Sequence, residues 1–258
     1  MKEFFGFGGY SRPAEGYLSW QHLLFVSTLV CFMVFLAIIL GQRSKSRPYS
    51  QKNRVLIGAA ICIDAVELFK IIMICIRESN PMHWLYELPL FLCSVQLVTM
   101  PLAAFSKGRF REASLDFICI FGVLGAVLGT YGAGQNYGSY PVLSLDNVAS
   151  GITHTLSGFA ALYIMISGMT SMKKKNIFIT FAILIGFCIA AYIANLALGS
   201  NYMFLMRGDG TPYDIFFNLV GGNPVLYPLL VVVLFLVYIV IFYTVYFLLQ
   251  KKVPATTK

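Results

Sequence analysis

Residues 19–41 read SWQHLLFVSTLVCFMVFLAIILG, 23 residues without an Asp, Glu, Lys or Arg. A helix needs about 20 such residues, at about 1.5 Å rise each, to cross about 30 Å of hydrocarbon. The next stretch, QRSKSRPYSQKNR at 42–54, carries five cations: Arg43, Lys45, Arg47, Lys52 and Arg54. An apolar run that ends on a basic loop is a membrane helix leaving toward the cytoplasm. Six further segments of the same kind lie at 55–76, 85–105, 113–131, 149–170, 177–198 and 225–250. With 58% hydrophobic residues, 12% charged and a mean hydropathy of +0.76, a soluble fold is excluded. The expectation is an all-α polytopic membrane protein: one domain over 1–258, with seven transmembrane helices.

Charge orients it. Loops 42–54, 106–112 and 171–176, with the tail, hold 14 Lys and Arg, while Lys2, Arg12, Arg77 and Arg207 make four on the other side. Positive charge is retained inside, so the amino terminus is expected outside and the carboxyl terminus in the cytoplasm of a bacterial cell membrane. The net +8 is then a topology signal and an attraction to anionic lipid, with no nucleic-acid partner expected. No signal peptide is expected ahead of residue 19. Phe4, Phe5, Phe7, Tyr10 and Tyr17 are expected at the outer interface, with His22, His83 and Trp84 as further anchors. All six cysteines (Cys31, Cys62, Cys75, Cys93, Cys119, Cys188) fall inside apolar segments, so no disulfide framework is expected. No internal repeat suggests an inverted-repeat transporter. The outer loops, GAGQNYGSYPVLSLDNV at 132–148 and the stretch 199–224, hold most of the polar, glycine-rich chemistry, so a polar cavity is expected to open outward.

Ionisable groups within the bilayer cost roughly 2.5–3.5 kcal/mol each and call for a partner or a function. Asp64, Glu67 and Lys70 fall on one stripe of the second segment, Glu67 one turn ahead of Lys70. Glu87, Pro89, Cys93 and Gln96 follow in the third, and His154 in the fifth. Counting about 1.5 Å per residue from the outer boundary puts Lys70 roughly 10 Å deep, Glu67 15 Å, Cys93 12 Å and His154 8 Å. Acid, ammonium, thiol and imidazole thus share the outer half of the membrane. Packing roles compete with this reading: the acidic stripe can neutralise itself, and His154 or Cys93 can serve helix contacts.

Glu87-Leu88-Pro89-Leu90-Phe91-Leu92-Cys93 resembles the third-helix signature of the YwaF-like bacterial membrane proteins, where LPLHLC is usual. His154 matches that family's other intramembrane histidine, and Gly199 to Leu205, with Asn195 before and Pro224 to Tyr227 after, resembles its GxNYxxL region. The likeness runs from about residue 20 to 250. YwaF-like proteins are similar to a eukaryotic multi-pass acyltransferase family that remodels ether phospholipids through a thioester-forming Cys and a His. The resemblance implies His154 as acid and base, and Cys93 as the nearest thiol to the family's nucleophile. In the eukaryotic motif the Cys follows the Pro directly, at the position of Leu90, and Phe91 stands where the bacterial relatives have His.

The expected function is lipid acyl transfer at an outer-leaflet site, with a phospholipid donor and a lyso-lipid acceptor as partners. Cys93 and His154 would be catalytic, with Asp64, Glu67, Lys70, Glu87, Gln96, Asn201 and Tyr202 binding substrate. Asn201 or Tyr202 would donate to a developing oxyanion. No cofactor and no metal are expected, because among candidate ligands only His154 is well placed. A retinal pigment is excluded, since the seventh segment has no lysine before Lys251. The alternative is a small-molecule or lipid transporter or binding protein that uses the Asp/Glu/Lys stripe. The sequence leaves oligomeric state open.

Overall fold

A computed structural model describes residues 2–170 and 172–252, with side chains through Gln250. It is all-helical, 73% helix, with no strand among the described residues. The elements are α1 (Lys2–Phe5), α2 (Trp20–Ser44), α3 (Tyr49–Arg77), α4 (Gln96–Phe105), α5 (Gly108–Leu128), α6 (Gly134–Ser139), α7 (Leu145–Ser167), α8 (Ile177–Leu198), α9 (Tyr213–Leu219) and α10 (Leu226–Lys252). Single 3₁₀ turns lie at His83–Tyr86, Lys174–Asn176 and Tyr202–Phe204. Four spans are long and apolar enough to cross a membrane: Trp20–Ser44, Leu145–Ser167, Lys174–Leu198 and Leu226–Gln250. α3 and α5, of 29 and 21 residues, have the length but carry ionisable side chains within it.

The third segment differs from the single helix expected over 85–105. Only Gln96–Phe105 is α-helical, and 87–95 is irregular. Pro89 removes a backbone donor and pushes Leu88 away from helical geometry. Ser94 Oγ then accepts from the Phe91 N–H at 3.0 Å and donates back to Phe91 O at 3.1 Å, closing a local turn that competes with the helix. Helix starts also shift. α7 begins at Leu145, four residues before the expected 149, because Ser144 caps it by accepting the Asn147 N–H at 3.2 Å. It stops at Gly168, whose φ of 70° only glycine adopts at little cost.

α5 is the shared wall of two cores. Leu115, Ile118, Cys119 and Ala126 pack with α2, α3, α4 and α7, while Phe117, Ile120 and Phe121 pack with α8 and α10. Lipid tails are as apolar as leucine, so helices associate in a membrane by close approach. A Cβ on Gly122 would meet Ser157 O at 2.6 Å and Ala161 Cβ at 2.9 Å, which shows how tightly α5 lies on α7. His22 is no interface anchor: it is fully buried, its Nδ1 accepts the Leu18 N–H at 3.1 Å and its Nε2 donates to Thr130 O at 3.0 Å. His83 is half-buried and Trp84 exposed.

Asp116, fully buried on α5, closes the end of the bundle that carries the 168–176 loop. Its carboxylate accepts from Thr170 Oγ1, from Asn176 Nδ2 at 2.9 Å and from Tyr243 Oη at 2.8 Å. One acid thus joins α5, the loop and α10. D116A leaves those donors unpaired in an apolar interior, at a cost of about 3 kcal/mol or more. A thermal unfolding midpoint in detergent well below wild type is expected; a midpoint within 1–2 °C of wild type, about the scatter of a neutral surface substitution, would show the network to be dispensable.

Candidate functional site

The irregular stretch 87–95 is held open by one phenol. Tyr202 Oη donates to Leu85 O at 2.7 Å and accepts the Leu88 N–H at 3.2 Å, so it pins both ends of the turn before Pro89. Asn195, buried near the end of α8, fixes Tyr202 by accepting its N–H at 2.6 Å and donating to its carbonyl at 3.0 Å. The Phe91 ring lies 5.1 Å from that of Tyr202 and 6.0 Å from that of Phe204. Met203 and Phe204 both sit at φ 54°, a left-handed conformation that costs a non-glycine residue about 1–3 kcal/mol and gathers at functional sites.

This loop delivers Cys93 to α5. A Cβ on Gly125 would lie 3.5 Å from Cys93 Cβ, and one on Gly129, a turn later, would lie 1.7 Å from His154 Cδ2 and 2.0 Å from Nε2. Cys93 and the imidazole therefore rest against glycines one turn apart on the same side of this helix end. His154 Nδ1 lies 2.7 Å from Ser150 O. A carbonyl only accepts, so Nδ1 carries the proton in the neutral ring and Nε2 is left as the unprotonated nitrogen. Both residues are half-buried.

Lys70 lies between two carboxylates, 2.7 Å from Glu67 and 3.0 Å from Glu87, and joins α3 to the turn before the loop. Glu67 is close enough for its charge to act on His154. Asp64 stays outside this group: its Oδ1 is buried without a hydrogen-bond partner. Gln96 is fully buried on the first turn of α4. Asn201 and Tyr202 have their hydrogen-bonding groups engaged in the scaffold. Asn201 Nδ2 donates to Arg207 O and Asp209 Oδ2, both at 2.8 Å, and its Oδ1 accepts the Met206 N–H at 3.0 Å. The structure thus brings Cys93, His154, Glu67, Lys70 and Glu87 into one neighbourhood and puts Asn201 and Tyr202 behind it as supports. The two grooves beside α4, lined by residues such as Leu97, Pro101, Leu102 and Ile183, are apolar.

The TMEM164 family model matches residues 17–246, nearly the whole chain. The protein belongs to the TMEM164 family. It is thus a membrane protein of a multi-pass family, in agreement with its long apolar helices. No curated protein and no solved structure matches the chain.

Several residues that shape this TMEM164-family site escaped the sequence reading. Gly125 and Gly129 matter through what they lack, and their spacing of four along an apolar helix was the available signal. Arg77 and Asp146 pair bidentately, at 2.7 and 3.0 Å, with Tyr10 Oη on the same carboxylate at 2.6 Å. That clamp ties the amino-terminal segment across the ends of α3 and α7. Tyr213 of α9 stacks on Phe204 at 5.2 Å and lies in electrostatic reach of Cys93. Burial, then the neighbouring Tyr227, pushes its phenol up to about 12, so it is a neutral donor at physiological pH. For G129A, the imidazole has to move, and overpacking of this kind costs about 1–3 kcal/mol. G125A meets only ordinary contact and gains helix propensity, up to about 1 kcal/mol. Thermal unfolding of the pair is expected to separate them, with G129A alone destabilised; equal midpoints would mean that His154 does not rest on Gly129.

Proposed function

We propose that this protein transfers acyl chains between membrane lipids, with Cys93 as nucleophile and His154 as acid and base. The observation that carries the reading is the seating of Cys93 and His154 against Gly125 and Gly129, one turn apart, with His154 Nδ1 2.7 Å from Ser150 O. Nucleophilic catalysis needs a thiolate, a base to make it and a third group to orient that base. Here Nε2 takes the thiol proton and the thiolate attacks the acyl carbon of a phospholipid ester. The C–S bond forms as the carbonyl π pair moves onto oxygen. Collapse breaks the ester C–O bond, and the departing glyceryl oxygen takes the proton from Nε2. A lyso-lipid hydroxyl then yields its proton to Nε2 and attacks the thioester, and the C–S bond breaks to return the thiolate.

The resemblance of Glu87 to Cys93 to the YwaF-like signature, and of that family to the ether-phospholipid acyltransferases, supports the same chemistry. Its setting is a seven-crossing bundle in a bacterial-type cell membrane, the amino terminus outside, as the 14-to-four split of cations favours. The third crossing is the broken segment that carries Cys93, and irregular backbone at membrane depth is tolerated where protein buries it. Glu67, Lys70 and Glu87 orient the imidazole and meet the headgroup. A transporter is the second reading, favoured by the same three groups: two carboxylates on one ammonium leave a negative charge that a proton or cation would neutralise.

Purified protein in bilayers, given labelled phospholipid donors and lyso-lipid acceptors, should yield new acyl products by mass spectrometry. C93A and H154A should each lower the rate about 10²–10⁴-fold, the size of a lost acid–base group, and E67Q less than about tenfold. Loss in H154A but not C93A would retain the enzyme and discard the thiol nucleophile. No product from any form, with lipid or solute flux that E67Q abolishes, would make the protein a transporter.

A further inference from the structure

Acyl transfer needs a donor for the oxygen that becomes negative when the thiolate adds, and such a donor must be in place beforehand. The end of the irregular stretch winds into α4 through hydrogen-bonded turns: the Val95 N–H reaches Phe91 O at 3.0 Å and the Leu97 N–H reaches Ser94 O at 3.0 Å. Residues three apart on such a turn face the same way, with Cβ atoms about 5–6 Å apart. Gln96 therefore shares a face with Cys93. Its side chain is 0% exposed, yet its Nε2 has no hydrogen-bond partner. A buried amide N–H without a partner is uncommon and calls for a reason.

The other arm of that amide is engaged. Thr99, fully buried one turn further along α4, shares its single hydroxyl proton between Gln96 Oε1 at 2.8 Å and Val95 O at 3.2 Å. With Oε1 committed to Thr99, the planar amide directs Nε2 away from Thr99. Asn201 and Tyr202 are spent elsewhere.

We propose that Gln96 Nε2–H, oriented by Thr99, is the side-chain donor that binds the oxyanion formed when the Cys93 thiolate adds to an ester carbonyl. The role rests on the acyl-transfer reading. In the first step the C–S bond forms and the π pair moves to the carbonyl oxygen, where Nε2–H receives it. When the pair returns, the C–O bond breaks and the amide is free again. The second addition, of the lyso-lipid hydroxyl to the thioester, uses the same donor.

The test separates addition to a carbonyl from plain thiol reactivity. Full-length protein in nanodiscs is treated with p-nitrophenyl octanoate, and Cys93 acylation is followed by peptide mass spectrometry and p-nitrophenolate release. A parallel sample is alkylated with iodoacetamide, a displacement at carbon that forms no oxyanion. Q96L should slow acylation about 10²–10³-fold, the usual loss for one such donor, and leave Cys93 alkylation unchanged. T99V, which keeps the amide but frees it to turn, should fall between, and Q96E, which keeps the shape but not the donor, should match Q96L. Equal losses in both reactions would make Gln96 a scaffold and overturn the proposal, as would an unchanged Q96L or a loss found in Y213F instead. Wild-type protein whose Cys93 is alkylated but never acylated would overturn the acyl-transfer reading, and the role of Gln96 with it.

Discussion

Everything at the centre of this molecule depends on how closely α5 lies against α7. In lipid there is no hydrophobic gain from pressing one apolar helix on another, so the contact rests on dispersion and on backbones that can approach. Gly122 allows it at the middle of the pair, against the Ser157 carbonyl. One or two turns on, Gly125 and Gly129 leave shelves of the same kind, occupied by Cys93 and the His154 ring. The feature that holds the helices together therefore also makes room for the reactive pair. α5 can serve both ends because its middle, Ala113 to Gly122, is buried, with one face in each core.

Charge inside the bundle follows a consistent rule. Lys70 has two carboxylates, Asp146 has an arginine and a phenol, and Asp116 has three donors. Each would be costly alone in a low-dielectric interior and is tolerable only because its partners are preset. Ten buried side-chain polar atoms among the described residues have no hydrogen-bond partner, and two of them, Asp64 Oδ1 and Gln96 Nε2, sit on α3 and α4, the helices on either side of the loop that carries the thiol. Of these, Gln96 lies three residues from the thiol, where chemistry is expected to make use of an unsatisfied donor.

The all-helical class was plain in the sequence because apolar runs of membrane length are a strong signal and their composition barely overlaps with soluble proteins. The pairing of Glu67 with Lys70 was equally plain, since the spacing alone puts them on one face. The break after Glu87 was harder: Leu88 to Cys93 are apolar enough to read as helix, and the competing Ser94 turn is a matter of hydrogen bonds rather than hydropathy. Asp116 was passed over because one acid near a segment end looks solvated, whereas its partners lie 54 to 127 residues away. His22 was misread for the same reason, as its carbonyl acceptor is 108 residues downstream. Counting residues from the segment ends pointed to a shared level for thiol and imidazole. Adjacency was not, because it depends on two glycines whose importance lies in the absence of atoms.

Tyr202 has one further consequence. A single oxygen both receives the Leu88 N–H and gives its proton to Leu85 O, while its own backbone is clamped by Asn195 next to the left-handed pair Met203 and Phe204. The stretch that bears Cys93 and the turn after α8 are thereby geared to each other like two wheels on one short axle. The left-handed turn and the segment before Pro89 thus share one side chain, and the place of the thiol depends on a residue more than a hundred positions away in the chain.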